Sequence, residues 1–403
     1  MPVYLIGTLD TKGHEIDFVR QRLEQNGVAT QVIDAGCQGE PAITADISRE
    51  TVFDAAGATH LVVKEKGDRG STITLASVGV AKLISNLYQQ GQVDGVLGLG
   101  GSAGTTIATS AMRAMPLGIP KVMVSTLASG QVRPYVGDKD VFMLNSVVDI
   151  LGINRISRTV LGEAAAAMAG LVKFKQGDQK TASDKPLVAA TMFGVTTPCI
   201  ERAREVLEEA GYEVLVFHAT GNGGQAMESL IADGLIVGVL DITTTELADE
   251  LVGGILSAGP SRLTASGKLG IPQVISVGAT DMVNFGPVAS IPEKFKDRQF
   301  YEHNPTVTLM RTTVDENRQL GAEIVTKAAA STGAVKVILP LQGVSAIDKT
   351  DQPFDDPTAR KSLFDAIRDN RGDVELIELD AHINDSEFSE RAANELIEMI
   401  QAT

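Results

Sequence analysis

Short apolar runs of strand length recur along the whole chain. Each is followed by a turn rich in glycine or hydroxyls, then by a stretch with apolar positions at helical spacing. Val3 to Ile6 reads as a buried strand, and the polar turn Gly7-Thr8-Leu9-Asp10-Thr11-Lys12-Gly13 follows it. Ile16, Val19 and Leu23 mark one face of a helix that Asn26-Gly27 stops, and Val28 to Ile33 is a second strand ending at Asp34. This is a βαβ unit, with a right-handed crossover. Residues 35 to 70 hold turn formers and charge, with a helix near 48 to 57 and a strand around 61 to 63; a long helix follows over roughly 71 to 90. Residues 93 to 109, VDGVLGLGGSAGTTIAT, repeat the strand, turn and helix pattern most strongly. Strands at 121–125 and 141–144 and a helix through Ala164 to Ala169 complete this half.

Residues 176 to 185, QGDQKTASDK, are polar with no apolar period and read as a linker. Beyond them the same grammar restarts. ATMFGVTTPC parallels YLIGTLDTKG, VGVLDITTTELAD parallels DGVLGLGGSAGT, and GIPQVISVGATDM parallels GIPKVMVSTLASG. Residues 282 to 305 look irregular, polar and aromatic, and are too long for a plain connector, so they are expected to form a lid. The expected fold class is α/β, with two tandem domains, 1–178 and 179–403, built on mostly parallel, doubly wound sheets.

Composition narrows the function. A formal net charge of −16 argues against nucleic acid and anionic membranes as partners. No run approaches the ~20 apolar residues of a membrane span. Two cysteines, Cys37 and Cys199, outside any CxxC or His-rich setting, suggest neither a disulfide framework nor a zinc site; the chain reads as cytoplasmic and no metal ligands are assigned.

In doubly wound sheets, ligands bind beyond the carboxyl ends of the strands. The glycines at 98, 100, 101 and 104 leave room for close approach there. Ser102 and Thr105 bring hydroxyls to a helix start whose N–H groups have no internal partner. Such a turn suits a phosphate or carboxylate. It is not a Walker loop, and the next strand ends in Ser125 and Thr126 with no ribose-binding acid, so NAD is not expected. Thr8, Asp10, Thr11 and Lys12 form a second polar helix start, suited to phosphate oxygens, a metal or a ribose; the same residues also fit a simple helix cap with Lys12 in solvent. Asp34 stands where a ribose-binding acid usually sits.

The second half is dense in polar strand-end residues. His218, Thr220, Gly221, Gly223 and Gly224 form one turn; Asp241, Thr243, Thr244 and Glu246 form another; Asp281, Asn284 and His303 lie further on, and Arg262 could clamp an anion. His218, Asp241, Glu246, Asp281 and His303 are the candidate proton-transfer groups of a second pocket, and the others its candidate substrate contacts. No hydrolase motif is present, so no reaction is named.

The series GTLDTKG, GLGGSAGT, VSTLASG, NSVVDILGINRISR, MFGVTTPC, FHATGNGGQAMESL, VLDITTTELADEL and FYEHNPTVTLMRTT resembles the Tm-one-like ATP-binding family over essentially the whole chain. The resemblance implies two Rossmann-like domains, a homodimer, and ATP or a related nucleotide, with or without Mg2+, in the N-terminal domain. Carried across, Gly7, Thr8, Asp10, Thr11 and Lys12, with Gly100, Gly101, Ser102, Gly104 and Thr105, are the implied nucleotide contacts. The leading expectation is therefore a nucleotide-binding protein. The alternatives are an enzyme for a small carboxylated metabolite in the second domain, with nucleotide as effector, and a non-catalytic dimeric regulatory module.

Overall fold

The computed structural model describes residues 1–60, 68–177 and 185–403. The strand expected at 61–63 and most of the expected linker lie outside the described residues. The chain divides into two compact units, Met1–Thr181 and Ala182–Thr403.

In the first unit, five parallel strands, β1 (Val3–Gly7), β2 (Thr30–Asp34), β3 (Gly95–Gly100), β4 (Lys121–Ser125) and β5 (Phe142–Asn145), stand in the order β2-β1-β3-β4-β5. The described helices are α1 (Leu9–Gln25), α2 (Arg49–Ala55), α3 (Arg69–Gln89), α4 (Ser102–Arg113), α5 (Arg133–Val136) and α6 (Arg155–Gly177). Strand residues alternate between two cores. Leu5, Leu97, Val122 and Val124 pack with α1 and α6, whereas Ile6, Val96 and Met123 pack with α3 and α4. Covering both faces is what makes these strands continuously apolar.

The polar turn expected at 7–13 is shorter than the sequence suggests. Leu9 is buried and already begins α1, which kinks at Lys12 (φ −129°, ψ 15°). Burial of Leu9 draws the first helical turn onto the sheet, and the kink lets Lys12 leave it.

The second unit repeats the order. Its strands β6 (Leu187–Met192), β7 (Glu213–His218), β8 (Ile236–Thr243), β9 (Gln273–Gly278), β13 (Val335–Pro340) and β14 (Glu375–Leu379) run β7-β6-β8-β9-β13-β14, all parallel. Helices α7 (Thr197–Glu209), α8 (Asn222–Ala232), α9 (Thr245–Val252), α10 (Ala265–Leu269), α11 (Val314–Ala329), α12 (Pro357–Asn370) and α13 (Ser386–Gln401) accompany them. The internal echo in sequence thus corresponds to a shared topology: in both units the second strand lies outside the first, and the third lies on the first strand's other side.

The segment 282–305, expected to be irregular, holds two strands. Strands β10 (Met282–Phe285), β11 (Phe300–Asn304) and β12 (Val307–Arg311) form an antiparallel sheet in the order β10-β12-β11. Met282, Val283 and Phe285 of β10 are buried in the unit's apolar clusters, so that end of the segment is core, whereas residues 286–305 are exposed or half-buried apart from Phe295. Among the described residues, no helix is long and apolar enough to cross a membrane.

Candidate functional site

In the first sheet the strand order reverses between β1 and β3, and a cleft of about 410 Å³ opens at their carboxyl ends. Thr8, Asp10, Thr11 and Lys12 line it from the start of α1. Gly100, Gly101, Ser102 and Gly104 line it from the β3–α4 turn. The fold therefore brings together two turns far apart in sequence. Cys37, Gln38, Arg69, Ile73, Ala103, Ile107 and Asp149 complete the wall, and sequence reasoning assigned none of them. Arg69 had one available signal: it follows Asp68, a helix cap whose carboxylate accepts the Gly70 and Ser71 N–H groups.

The backbone shapes the cleft. A Cβ on Gly100 would come within 2.8 Å of the Gly104 Cα, so α4 starts flush against β3 only because both are glycine. Gly101, the residue before α4, gives it no side-chain cap. The first N–H groups of α4 have no partner inside the helix, and they carry the positive end of its dipole. A Cβ on Gly101 would meet only Thr126 Oγ1, at 3.6 Å, so packing does not demand glycine there. Opposite, the Thr11 and Lys12 N–H groups donate to the Thr8 carbonyl at 3.0 and 2.8 Å, and the Thr8 and Thr11 hydroxyls are 2.8 Å apart. Among the described residues, neither Lys12 nor Arg69 forms an ion pair. The cleft thus combines two cationic side chains with a free helix N-terminus, an arrangement suited to a multiply charged anion.

Asp10 also holds the wall in place. Its Oδ2 accepts the N–H groups of Gln38 and Gly39, both at 3.0 Å. Gly39 is tied on its other side too, where its carbonyl accepts from Arg49 Nη1 at 2.5 Å. Burial first, then the adjacent Asp10 carboxylate, push the Cys37 thiol up to about 11, so it is no nucleophile at neutral pH.

Several expected contacts lie elsewhere. Asp34 is buried, and its Oδ1 accepts the N–H groups of Leu9 (3.1 Å) and Gly36 (2.8 Å) while Oδ2 accepts from Arg49 Nε at 2.7 Å. It fixes the start of α1 and does not line the cleft, so it is not placed for a ribose. Thr105 and Ser125 are fully buried, with hydroxyls 2.7 Å apart, clamping α4 to β4. Gly7 lies beneath Ile16, and Thr126 stands behind Gly101; neither lines the cleft.

In the second unit, the glycine turn, the 241–246 loop and Arg262 do converge, but on one another. The fully buried Arg262 holds Asp241 through Nη1 and Nη2, each at 2.5 Å, and Glu246 through Nε at 2.6 Å. Glu246 Oε1 accepts the N–H groups of Gly221 (2.7 Å) and Gly224 (3.1 Å). Gly221 adopts φ +79°, and a Cβ on Gly223 would fall 1.9 Å from the His218 carbonyl oxygen. The turn that could have held an anion already holds a carboxylate of its own chain. Arg262 is therefore saturated, which corrects its expected role as a substrate clamp.

The other candidates scatter. The Thr243 and Thr244 hydroxyls donate to the carbonyls of Thr191 and Ser276, each at 3.0 Å, and Thr220 Oγ1 donates to the His218 carbonyl at 3.2 Å. Asn284 donates through its amide nitrogen to Asp249 at 2.7 Å, and burial pushes that acid up to about 7. Asp281 accepts from Ser345 Oγ at 2.8 Å in a separate group with Asp348, Arg311 and Arg360. His218 is exposed at the end of β7 beside Phe193, and His303 is exposed on β11. No shared pocket unites these groups among the described cavities.

Two parallel α/β units of one topology, the first with a cleft at its strand-order reversal, define a two-unit Rossmann-like protein. The chain belongs to the uncharacterised protein family UPF0261, matching its N-terminal domain over residues 1–177 and its C-terminal domain over 185–400. A UPF0261 protein of Clostridium tetani is 48% identical over 401 residues, 99% of each chain, and one of Rhizobium meliloti is 44% identical over 393 residues, 97% of each. The ToMV resistance protein Tm-1(GCR237) of Solanum lycopersicum is 41% identical over 418 residues, covering 98% of this chain and 55% of that protein. The resemblance to the Tm-one-like family therefore holds over the full chain. Among solved structures, a UDP-N-acetylglucosamine 2-epimerase from Rickettsia bellii aligns over 68% of this chain and 77% of its own at 10% identity and a TM-score of 0.23, too slight a likeness to bear on function.

Proposed function

We propose that the first unit binds a nucleotide of the ATP type in the cleft between α1 and α4. The observation that supports this most is the meeting of Lys12, Arg69 and the uncapped start of α4 around one cleft. In this reading the N–H groups of residues 102–104 and the two cationic side chains receive the phosphates. The Ser102, Thr8 and Thr11 hydroxyls would fix their orientation, and of the two wall carboxylates Asp149 would receive a magnesium ion carried by the nucleotide, since Asp10 already accepts from Gln38 and Gly39. The second unit gives less support to catalysis, because Asp241 and Glu246 are spent on Arg262. The proposed unit of action is a homodimer.

Titration calorimetry with ATP and with adenosine, each with and without magnesium, tests the reading. Binding of ATP and loss of affinity for adenosine are expected. Equal affinity for both would overturn a phosphate-directed site, and following phosphate release in the same samples separates binding from hydrolysis.

A further inference from the structure

The long helix α6 is apolar on two faces. Leu161, Ala164, Ala165 and Met168 are buried on the first, where α6 packs on α1, β3 and β4. The second is open. Ile156 and Phe174 stand on it a whole number of turns apart, 42% and 71% exposed. Thr159, Glu163, Ala166 and Gly170 lie between them at spacings of three and four, all exposed, and Glu163 is the stripe's one charge. A Cβ on Gly170 would meet nothing within 4 Å, so nothing among the described residues requires glycine there, and in mid-helix it weakens the helix relative to alanine.

The open face continues onto the edge of the sheet. β5 is the last strand, with no neighbour on its outer side among the described residues. Leu144 packs into the cluster that holds α1 and α6, so Phe142, two residues before it, points to the same side of the sheet, where it is 57% exposed. Parallel strands are normally covered on both faces. Between β5 and α6, Val147 and Leu151 are 69% and 73% exposed, and Val147 holds φ +64°, a conformation that strains a β-branched residue. Apolar patches of more than a few hundred Å² are rare on monomeric proteins and mark interaction surfaces.

Size, edge chemistry and charge select a second copy of the chain as the occupant. α6 runs for 23 residues, about 34 Å, and its open face together with β5 and the 147–151 connection offers an area of the order that a stable pair buries, roughly 800 Å² per partner. β5 carries neither charge nor proline, the usual guards of an edge strand against its own kind. Acidic and basic residues are equal in number within residues 1–181, so the formal charge of −16 lies wholly in the second unit. Two copies therefore meet through their first units without the net repulsion that the second units would bring. We propose that two copies of the chain pair through this surface about a two-fold axis, the open face of α6 and the β5 edge of one lying against the same elements of the other. The proposal rests on the homodimer reading above and gives that dimer its surface.

Sedimentation equilibrium of the full chain without nucleotide is the test. The parent is expected at twice the 42.5 kDa of one chain. Gly170→Glu with Phe174→Asp places two charges on the open face of α6, where both positions have room in the single chain. Leu151→Asp does the same in the connection and leaves the helix untouched. Each protein is expected to dissociate at least about thirtyfold more readily, the effect of losing a central interface side chain, with an unchanged circular dichroism spectrum. Ile255→Asp, at an exposed apolar residue of the second unit, is expected to leave the pair intact. A parent that stays monomeric at its highest soluble concentration would overturn both the surface and the homodimer. A dimer that survives both sets of substitutions, or one that Ile255→Asp dissociates equally, would overturn the surface and leave the homodimer standing.

Discussion

Glu246 places its Oε1 2.7 Å from the Gly221 N–H, filling from within the chain the position an anionic ligand would take at a glycine turn. In the first unit the turn at Gly100 to Gly104 has no such resident carboxylate: α4 begins without a side-chain cap and opens on a cleft. The same topology therefore supports a closed, structural turn in one unit and an open one in the other. The difference comes from a glutamate in the first turn of α9, Glu246, where the first turn of α4 carries no acid.

It follows that Glu246→Ala harms folding and leaves the cleft alone. The substitution strands Arg262, fully buried, beside Asp241 and unmakes two backbone hydrogen bonds. Removing one partner of a buried ion pair costs about 3–5 kcal/mol. Urea unfolding should show that loss in the second unit's transition. Nucleotide affinity per folded molecule should stay at its original value.

Lys12→Ala and Arg69→Ala should each weaken nucleotide binding by about 1.5–3 kcal/mol, the range for a hydrogen bond to a charged group. Gly101→Val should lose more. A Cβ there has ordinary room within the protein, so the damage falls on the ligand's approach and stability should hold. Calorimetry alongside thermal unfolding distinguishes the two effects. Unchanged affinity in all three proteins would place the nucleotide elsewhere.

The pH dependence of stability should carry the mark of Asp281. Burial, then the nearby Asp348 carboxylate, push its pKa up to about 7, from an ordinary 3.8. The folded protein thus holds a proton that the unfolded chain has released, and this group's contribution to stability is complete below about pH 4. It is lost as pH rises through about 7. Asp249, also raised to about 7 by burial, acts in the same direction. Asp281→Asn mimics the protonated acid and can still accept from Ser345. The substituted protein should lose less stability than the parent between pH 5 and pH 8 in urea titrations. Identical losses would show that Asp281 does not titrate in that range.

The sequence made the parallel sheets, the internal repeat and the two arms of the cleft legible, because all three rest on local patterns: apolar period, glycine spacing and hydroxyls at helix starts. It did not reveal that Leu9 starts α1, since burial against the sheet overrode the polar look of the turn. It could not show whether a polar strand end faces a ligand or another part of the chain. Asp34 looks like a ribose acid until Arg49 is seen beside it, and Arg262 looks like a clamp until three carboxylates surround it. Those pairings join residues from 15 to 34 positions apart, beyond any local period. The strands at 282–285 and 300–304 were missed for a related reason. They are short, and they pair with 307–311 in an antiparallel sheet within a chain otherwise dominated by parallel pairing.

Asp10 offers a test of how the cleft is held open. Its carboxylate faces the cleft, yet its visible work is to accept the Gln38 and Gly39 N–H groups and hold the opposite wall. If that is its main part in binding, loss of the side chain should act through the loop. Asp10→Ala should speed hydrogen exchange at Gln38 and Gly39 and weaken nucleotide binding by about 1–3 kcal/mol, the cost of leaving such donors unpaired. Asp10→Asn keeps an acceptor oxygen, so it should restore most of the exchange protection and most of the affinity. A direct contact from Asp10 to magnesium predicts a different pair of results. Asn would then bind nucleotide as poorly as Ala in the presence of magnesium while protecting the loop normally. Exchange and calorimetry on the two proteins, with and without magnesium, decide between the positioning role and the direct one.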